Sequence, residues 1–186
     1  MNKGIELEYK VLVSEEQFQT LLQAYPPQEH RVQINHYYDY PDFSVMKSRQ
    51  VLRIREFTDS FEFTLKMLDE NNTLFEFSKQ LSSNSMDDPE IRSFLESHGI
   101  DYTNLKELAY LKTERSIYND GYGELCFDIN TYGNKKDYEI EYEMIRETPD
   151  FMDRFQNIIK KADIQYQPSL PKVIRCLREY YPESDN

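Results

Sequence analysis

Ile5-Glu6-Leu7-Glu8-Tyr9-Lys10-Val11 alternates apolar and charged residues without interruption. In an extended chain, residues i, i+2 and i+4 share a face. The stretch is therefore read as the core of a strand over residues 5–13. Glu6, Glu8 and Lys10 point one way, and Ile5, Leu7, Tyr9 and Val11 the other. The same period recurs over residues 33–40, 51–58, 60–68, 73–81, 108–119, 123–130 and 136–146, with Tyr, Phe, Ile and Val as apolar partners. Thr58-Asp59-Ser60 and the run Asp69-Glu70-Asn71-Asn72 are short turn signals that join neighbouring strands as hairpins. The plan is thus eight strands, mostly antiparallel.

Helical signals are fewer. Ser14-Glu15-Glu16-Gln17 is a capping box that opens a helix to about Ala24, and Pro89 sits near the start of another running toward Gly99. Thr148-Pro149-Asp150 starts a third helix, with Phe151, Phe155, Ile158 and Ile159 on one face. Pro171 begins a fourth that ends near Tyr181. The chain shows no repeat and no flexible linker, and its 186 residues fit a single domain.

Composition narrows the function classes. The 22 Lys and Arg stand against 34 Asp and Glu, a net charge of -12 that repels duplex nucleic acid and anionic lipid at long range. Any anion site must be locally basic against that background. Cys126 and Cys176 lie far apart without metal-ligand spacing and are read as reduced thiols. With neither a secretory-type start nor an apolar run near the roughly 20 residues that cross a bilayer, the expectation is a cytoplasmic protein without a membrane partner.

Nearly every strand carries charge on one side. Arg53 and Arg55 share a face opposite Leu52 and Ile54; Glu62, Thr64 and Lys66 oppose Phe61, Phe63 and Leu65; Glu76 and Ser78 oppose Phe75 and Phe77. Thr113 pairs with Arg115, Asp128 with Glu124 and Cys126, and Glu139 with Glu141 and Glu143. A sheet with one face on the core and one in water also produces this alternation. Acids set in pairs and triplets cost free energy unless compensated, however. Divalent cations compensate carboxylates and bridge to phosphate oxygens, while Arg and Lys neutralise the remaining phosphate charge. The pattern therefore also fits a metal-polyphosphate site inside a closed sheet with helices on its apolar exterior.

At this point the sequence resembles the CYTH superfamily, which includes thiamine triphosphatases, inorganic triphosphatases and class IV adenylate cyclases. Glu-x-Glu-x-Lys appears as Glu6, Glu8 and Lys10, and later motifs follow in family order. Leu-Arg-Ile-Arg brings Arg53 and Arg55, Thr-Leu-Lys brings Lys66, Phe-Glu-Phe brings Glu76, and Lys-Thr-Glu-Arg brings Arg115. Leu-Cys-Phe-Asp brings Asp128, Tyr-Glu-Ile-Glu brings Glu139 and Glu141, and Pro-Ser-Leu-Pro-Lys brings Lys172. The resemblance implies an α+β fold, an eight-stranded antiparallel β-barrel or tunnel with helices packed outside. It also implies divalent-metal-dependent hydrolysis of a triphosphate, inorganic or organic, as in thiamine triphosphate.

In that reading Glu6, Glu8, Asp128, Glu139 and Glu141 form the metal site, for Mg²⁺ or Mn²⁺. Lys10, Arg53, Arg55, Lys66, Glu76, Arg115 and Lys172 form the substrate site, and Glu6, Glu8, Lys10 and Asp128 carry the chemistry. A non-catalytic triphosphate-binding module and a class IV cyclase are the alternatives. Many members have a Ser-Lys-Tyr type motif where this chain has Pro171-Lys172-Val173. Strand parity sends Lys112 to the opposite face from Arg115, and it leaves Glu143 at a strand end, between site and solvent. His30, His36 and His98 lack ligand spacing, and Cys126 is read as a small packing residue.

Overall fold

The structure, a computed structural model, describes residues 1–182; the last four residues of the expected domain, 183–186, lie outside the described residues. Two compact units divide the chain. The first comprises Met1–Ile5, Gln33–Leu111 and the segment from Cys176 on; the second comprises Glu6–Val32 and Lys112–Arg175.

In the first unit the strand order is β1 (Asn2–Ile5), β6 (Leu74–Leu81), β5 (Phe61–Leu68), β4 (Gln50–Glu56) and β3 (Glu29–Asp39, of which 33–39 lie in this unit), with antiparallel neighbours throughout. In the second it is β7 (Lys106–Asn119, of which 112–119 lie in this unit), β8 (Gly123–Tyr132), β9 (Lys135–Met144) and β2 (Glu8–Val13), again antiparallel. The fold class is α+β with an antiparallel sheet, as expected, but the described residues hold nine strands rather than eight. The extra one arises at the N-terminus. Ile5 pairs with Phe75 of β6, whereas Glu8 pairs with Glu143 of β9. Between these two pairings the chain leaves the strand at Glu6-Leu7, which divides the expected strand in two. Leu7, expected on the apolar face, is consequently 40% exposed.

Each unit buries one sheet face under helices. In the first, Leu52, Phe63 and Leu65 meet Ile91 and Leu95 of α3 (Pro89–Ser97), and Phe94 stacks edge-on to Phe63 with ring centroids 6.4 Å apart. A short helix, α2 (Ser44–Lys47), which the sequence pattern does not announce, adds Val45 to that core. In the second unit, α1 (Glu15–Ala24) contributes Phe18 and Leu21, and α4 (Phe151–Ile159) contributes Phe155, Ile158 and Ile159, over Leu125, Phe127 and Ile140. The expected capping box is present: Ser14 Oγ accepts from the Gln17 amide at 3.2 Å, and Gln17 Oε1 accepts from the Ser14 amide at 3.0 Å. The fourth expected helix is α5 (Lys172–Tyr180).

Tyr142 shows how tightly the second core is set. Its ring stacks on Phe151, with centroids 4.4 Å apart, while its hydroxyl donates to Asp120 Oδ2 at 2.6 Å. Gly123 lies beneath that ring, and a Cβ there would stand 2.5 Å from Tyr142 Cε2 and 3.0 Å from the Glu143 carbonyl oxygen. The ring is held on two sides and the carbonyl belongs to the strand, so neither neighbour yields easily. Gly123→Ala is expected to destabilise the protein by about 1–3 kcal/mol, the usual cost of overpacking. Urea denaturation followed by far-UV circular dichroism checks this; an unchanged midpoint would show that the ring has room to move.

Candidate functional site

The faces opposite the helix-covered cores carry the charges. In the second unit, register stacks them in rows. Arg115 lies opposite Asp128, which lies opposite Glu139; Cys126 lies opposite Glu141, which lies opposite Lys10; Glu124 lies opposite Glu143, which lies opposite Glu8. Side chains of four strands thus converge. Arg115 Nε and Nη2 donate to the two oxygens of Asp128 at 2.7 and 2.6 Å, Nη1 donates to Glu143 at 2.7 Å, and Nη2 also reaches Glu141. Lys172, from the first turn of α5, bonds Asp128 and lies 2.9 Å from Glu141 and 3.3 Å from Glu139.

Arg115, Asp128, Glu139 and Glu141 are all buried, and a buried charge is tolerated only when it is paired. Here the pairing outweighs the burial. Burial works against ionisation of Glu141, yet Lys172, Arg115 and Lys10 hold its carboxyl well below the usual carboxylate range. Burial likewise opposes the Lys172 ammonium, but Asp128, Glu141 and Glu139 raise its pKa. Lys10 is raised against burial by Glu8, Glu141 and Glu139, and it donates to Glu8.

Two groups of acids have donor geometry for a divalent ion. Asp128, Glu139 and Glu141 form a fully buried trio, and Glu8, Glu141 and Glu143 form a more open one; in each, one oxygen per residue lies within 4.8 Å of the others. These hard carboxylate oxygens suit Mg²⁺ or Mn²⁺. The two trios differ in what already holds them. Both oxygens of Asp128 accept from Arg115, and both oxygens of Glu139 accept from Arg175, at 3.0 Å each. Glu143 has a side chain 31% exposed. Among the sequence-derived metal candidates, Glu6 precedes β2 and belongs to neither trio, so it does not share a strand face with Glu8 as the alternation suggests.

The first unit gathers the other candidates on its own charged face. Lys66 Nζ lies 3.3 Å and Arg53 Nη2 3.7 Å from Glu76 Oε2. Arg55 Nε donates to Asn35 Oδ1 at 3.0 Å, and its Nη1 lies 3.9 Å from Glu62. Burial opposes ionisation of Glu76, but Lys66 and Arg53 hold its pKa below the ordinary value. Arg53 is 9% exposed, and Thr64, directly opposite on β5, is fully buried; no described residue hydrogen-bonds to Arg53 Nε or Thr64 Oγ1. Arg53 and Thr64 thus set a guanidinium N–H and a hydroxyl side by side with no hydrogen-bond partner among the described residues. The donors suit an oxyanion.

Sequence reasoning passed over Arg175 and Asp137, and it left Glu143 open. Glu143 carries the i, i+2 signal of its strand. Arg175 lies three residues beyond Lys172 in a helix, and therefore on the same side of it. Lys112 is outside the clusters as expected, with a side chain 44% exposed and bonded to Glu114 at 2.7 Å.

The antiparallel sheet carries helices on its apolar faces, and acids and fixed cations on its polar faces. The chain belongs to the CYTH family, whose model matches residues 4–176. It is 26% identical over 187 residues to YjbK of Bacillus subtilis (strain 168), by name a candidate triphosphatase, covering 96% of this chain and 97% of that protein. Its fold matches the crystal structure of a candidate adenylate cyclase from Bacillus halodurans with a TM-score of 0.83 at 33% identity, over 94% of this chain and 98% of that one. It also matches HpAC1 from Hippeastrum, a candidate adenylyl cyclase described as having a dominant triphosphatase activity. That match has a TM-score of 0.73 at 20% identity and covers 93% and 95% of the two chains. No helix among the described residues is long and apolar enough to cross a membrane.

Proposed function

We propose that the protein hydrolyses a triphosphate with the help of Mg²⁺ or Mn²⁺. The observations that carry this reading are two chemistries, one in each unit. One face holds the buried Arg53, whose Nε has no hydrogen-bond partner among the described residues, beside Thr64, with Lys66 and Arg55 near by. The other holds carboxylates grouped closely enough to share one cation. Arg53, Arg55 and Lys66 bind and orient phosphate oxygens, with Glu76 fixing the positions of Arg53 and Lys66. Glu8, Glu141 and Glu143 hold the metal, with the buried Asp128 and Glu139 behind them. When bound, a divalent ion would neutralise phosphate charge and ease the deprotonation of a water nucleophile. Lys10, Arg115 and Lys172 fix the acids and balance charge as the substrate enters. Phosphoryl transfer needs little beyond such positioning and electrostatic stabilisation. The soluble triphosphate is the only partner this reading requires.

The test is phosphate release from inorganic triphosphate, thiamine triphosphate, ATP and GTP with each metal, beside calorimetric titration of Arg53→Lys with a non-hydrolysable triphosphate. Lysine cannot reproduce the guanidinium fork. The variant is expected to bind about ten- to a hundredfold more weakly, as a lost charge-assisted contact of about 1.5–3 kcal/mol implies. Binding equal to wild type, with no phosphate released from any substrate, would overturn the reading.

A second reading has one observation in its favour, the 33% identity to a protein named as a candidate adenylate cyclase. It predicts that ATP gives cyclic AMP and pyrophosphate in the same screen.

A further inference from the structure

Arg175 is the largest element of the acidic cluster to which the reaction assigns no part. Its guanidinium grips Glu139 as a fork, Nη1 to Oε1 and Nη2 to Oε2 at 3.0 Å each. Nε donates to Asp137 Oδ2 at 3.0 Å. Asp137 is itself fixed by the Asn130 amide at 2.9 Å and by the Tyr132 hydroxyl at 2.7 Å. The Ser169 hydroxyl adds a third donor to Glu139, at 2.9 Å from Oε1. Glu139 is fully buried and the Arg175 side chain is 8% exposed, so water does not weaken this clamp. Planar bidentate pairs are the strongest and most directional of charge-assisted contacts.

One guanidinium thus holds both oxygens of Glu139, which sets it apart from Glu8 and Glu143, each bonded through one oxygen, and from Glu141, whose two oxygens are held singly by Arg115 and Lys172. A carboxylate so engaged is a poor ligand for a divalent ion, because binding the ion means breaking the fork. It remains a good anchor for a cation one helical turn away, and Lys172 Nζ lies 3.3 Å from Glu139 Oε2 while contacting Asp128 and Glu141.

We infer that Arg175 is a positioning residue that withholds Glu139 from the metal and assigns it to orienting Lys172. It thereby confines the divalent ion to the Glu8, Glu141 and Glu143 side of the cluster. The inference rests on the metal-dependent triphosphatase reading and divides labour within that site.

Its consequence is unusual in sign. Freed from the fork, Glu139 becomes an additional negative ligand. Arg175→Gln is therefore expected to bind Mn²⁺ about tenfold more tightly while its kcat falls about tenfold, the lower end of effects seen when partners of metal ligands are changed. A residue that merely held α5 in place would weaken metal binding and turnover together. Mn²⁺ affinity is read without substrate, from the electron paramagnetic resonance signal of the free ion. Arg175→Lys, which keeps the charge and loses the fork, should fall between wild type and Arg175→Gln in both measurements, and it serves as the probe should Arg175→Gln not fold. Adding Glu139→Gln to the Arg175 variant should abolish the gain in affinity. Mn²⁺ affinity unchanged or weakened in the folded Arg175 variants overturns the inference while leaving the triphosphatase reading intact. Wild-type protein that binds no Mn²⁺ and releases no phosphate overturns both.

Discussion

Arg115→Met should lower the stability of the protein by about 3–5 kcal/mol at neutral pH, the cost of leaving buried carboxylates without their cation. The guanidinium is almost fully buried and bonds Asp128, Glu141 and Glu143 at once. Methionine fills much of the space and supplies none of the charge. The loss should also depend on pH in a defined direction. Glu141 is held below its ordinary pKa in the folded protein, with Arg115 among the causes. It therefore contributes stability that is present above its unfolded value of about 4.3 and lost as pH falls through the folded value. In the variant the same carboxyl titrates higher and is neutralised earlier. The gap between wild type and Arg115→Met should hold near neutral pH and narrow as pH falls below the unfolded value of about 4.3 toward the folded one. Guanidinium denaturation across that range measures it, and a gap constant with pH would show that lost packing, not charge, sets the effect.

Glu8→Gln should leave the fold intact and remove metal-dependent turnover by more than about a hundredfold, since changing even an outer partner of a metal ligand costs 10–100-fold. Glu8 stands opposite Glu143 across β2 and β9 and groups with Glu141. Like charges directly opposed are destabilising. Removing one should hold the melting temperature or raise it slightly, with Gln retaining an oxygen that can accept from Lys10. Activity and stability are thus expected to move in different directions, as in sites that trade stability for function. Phosphate release at limiting Mg²⁺ or Mn²⁺, beside thermal melts, decides it. Full turnover at limiting metal would remove Glu8 from the metal site.

Period-two alternation was enough to read most of the strands, because it depends only on local backbone geometry. The eight predicted segments map onto the nine strands, with ends shifted by up to four residues. Alternation also places Arg115, Asp128, Glu139 and Glu141 on one face, and the register brings them into contact. What it could not show is where a strand changes partners. Ile5 to Val13 reads as one strand, but hydrogen bonding to β6 on one side of Glu6-Leu7 and to β9 on the other divides it. Arg175 escaped notice for a different reason. Its role depends on α5 approaching the carboxylates of β9, a long-range contact that no local pattern encodes. The short helix at Ser44–Lys47 is likewise held from a distance, by Asp39 accepting from the amides of Val45 at 2.9 Å and Met46 at 3.0 Å.

Arg115, Lys172 and Arg175 give the buried acids of the second unit counter-ions that are part of the chain itself. In domains that are unfolded without their ion, metal binding and folding are one event. On the metal-dependent reading proposed above, the two should be separable: a newly synthesised chain would complete its fold in a metal-poor medium and be loaded afterwards, so starvation for the ion would silence the protein without sending it to aggregation or proteolysis.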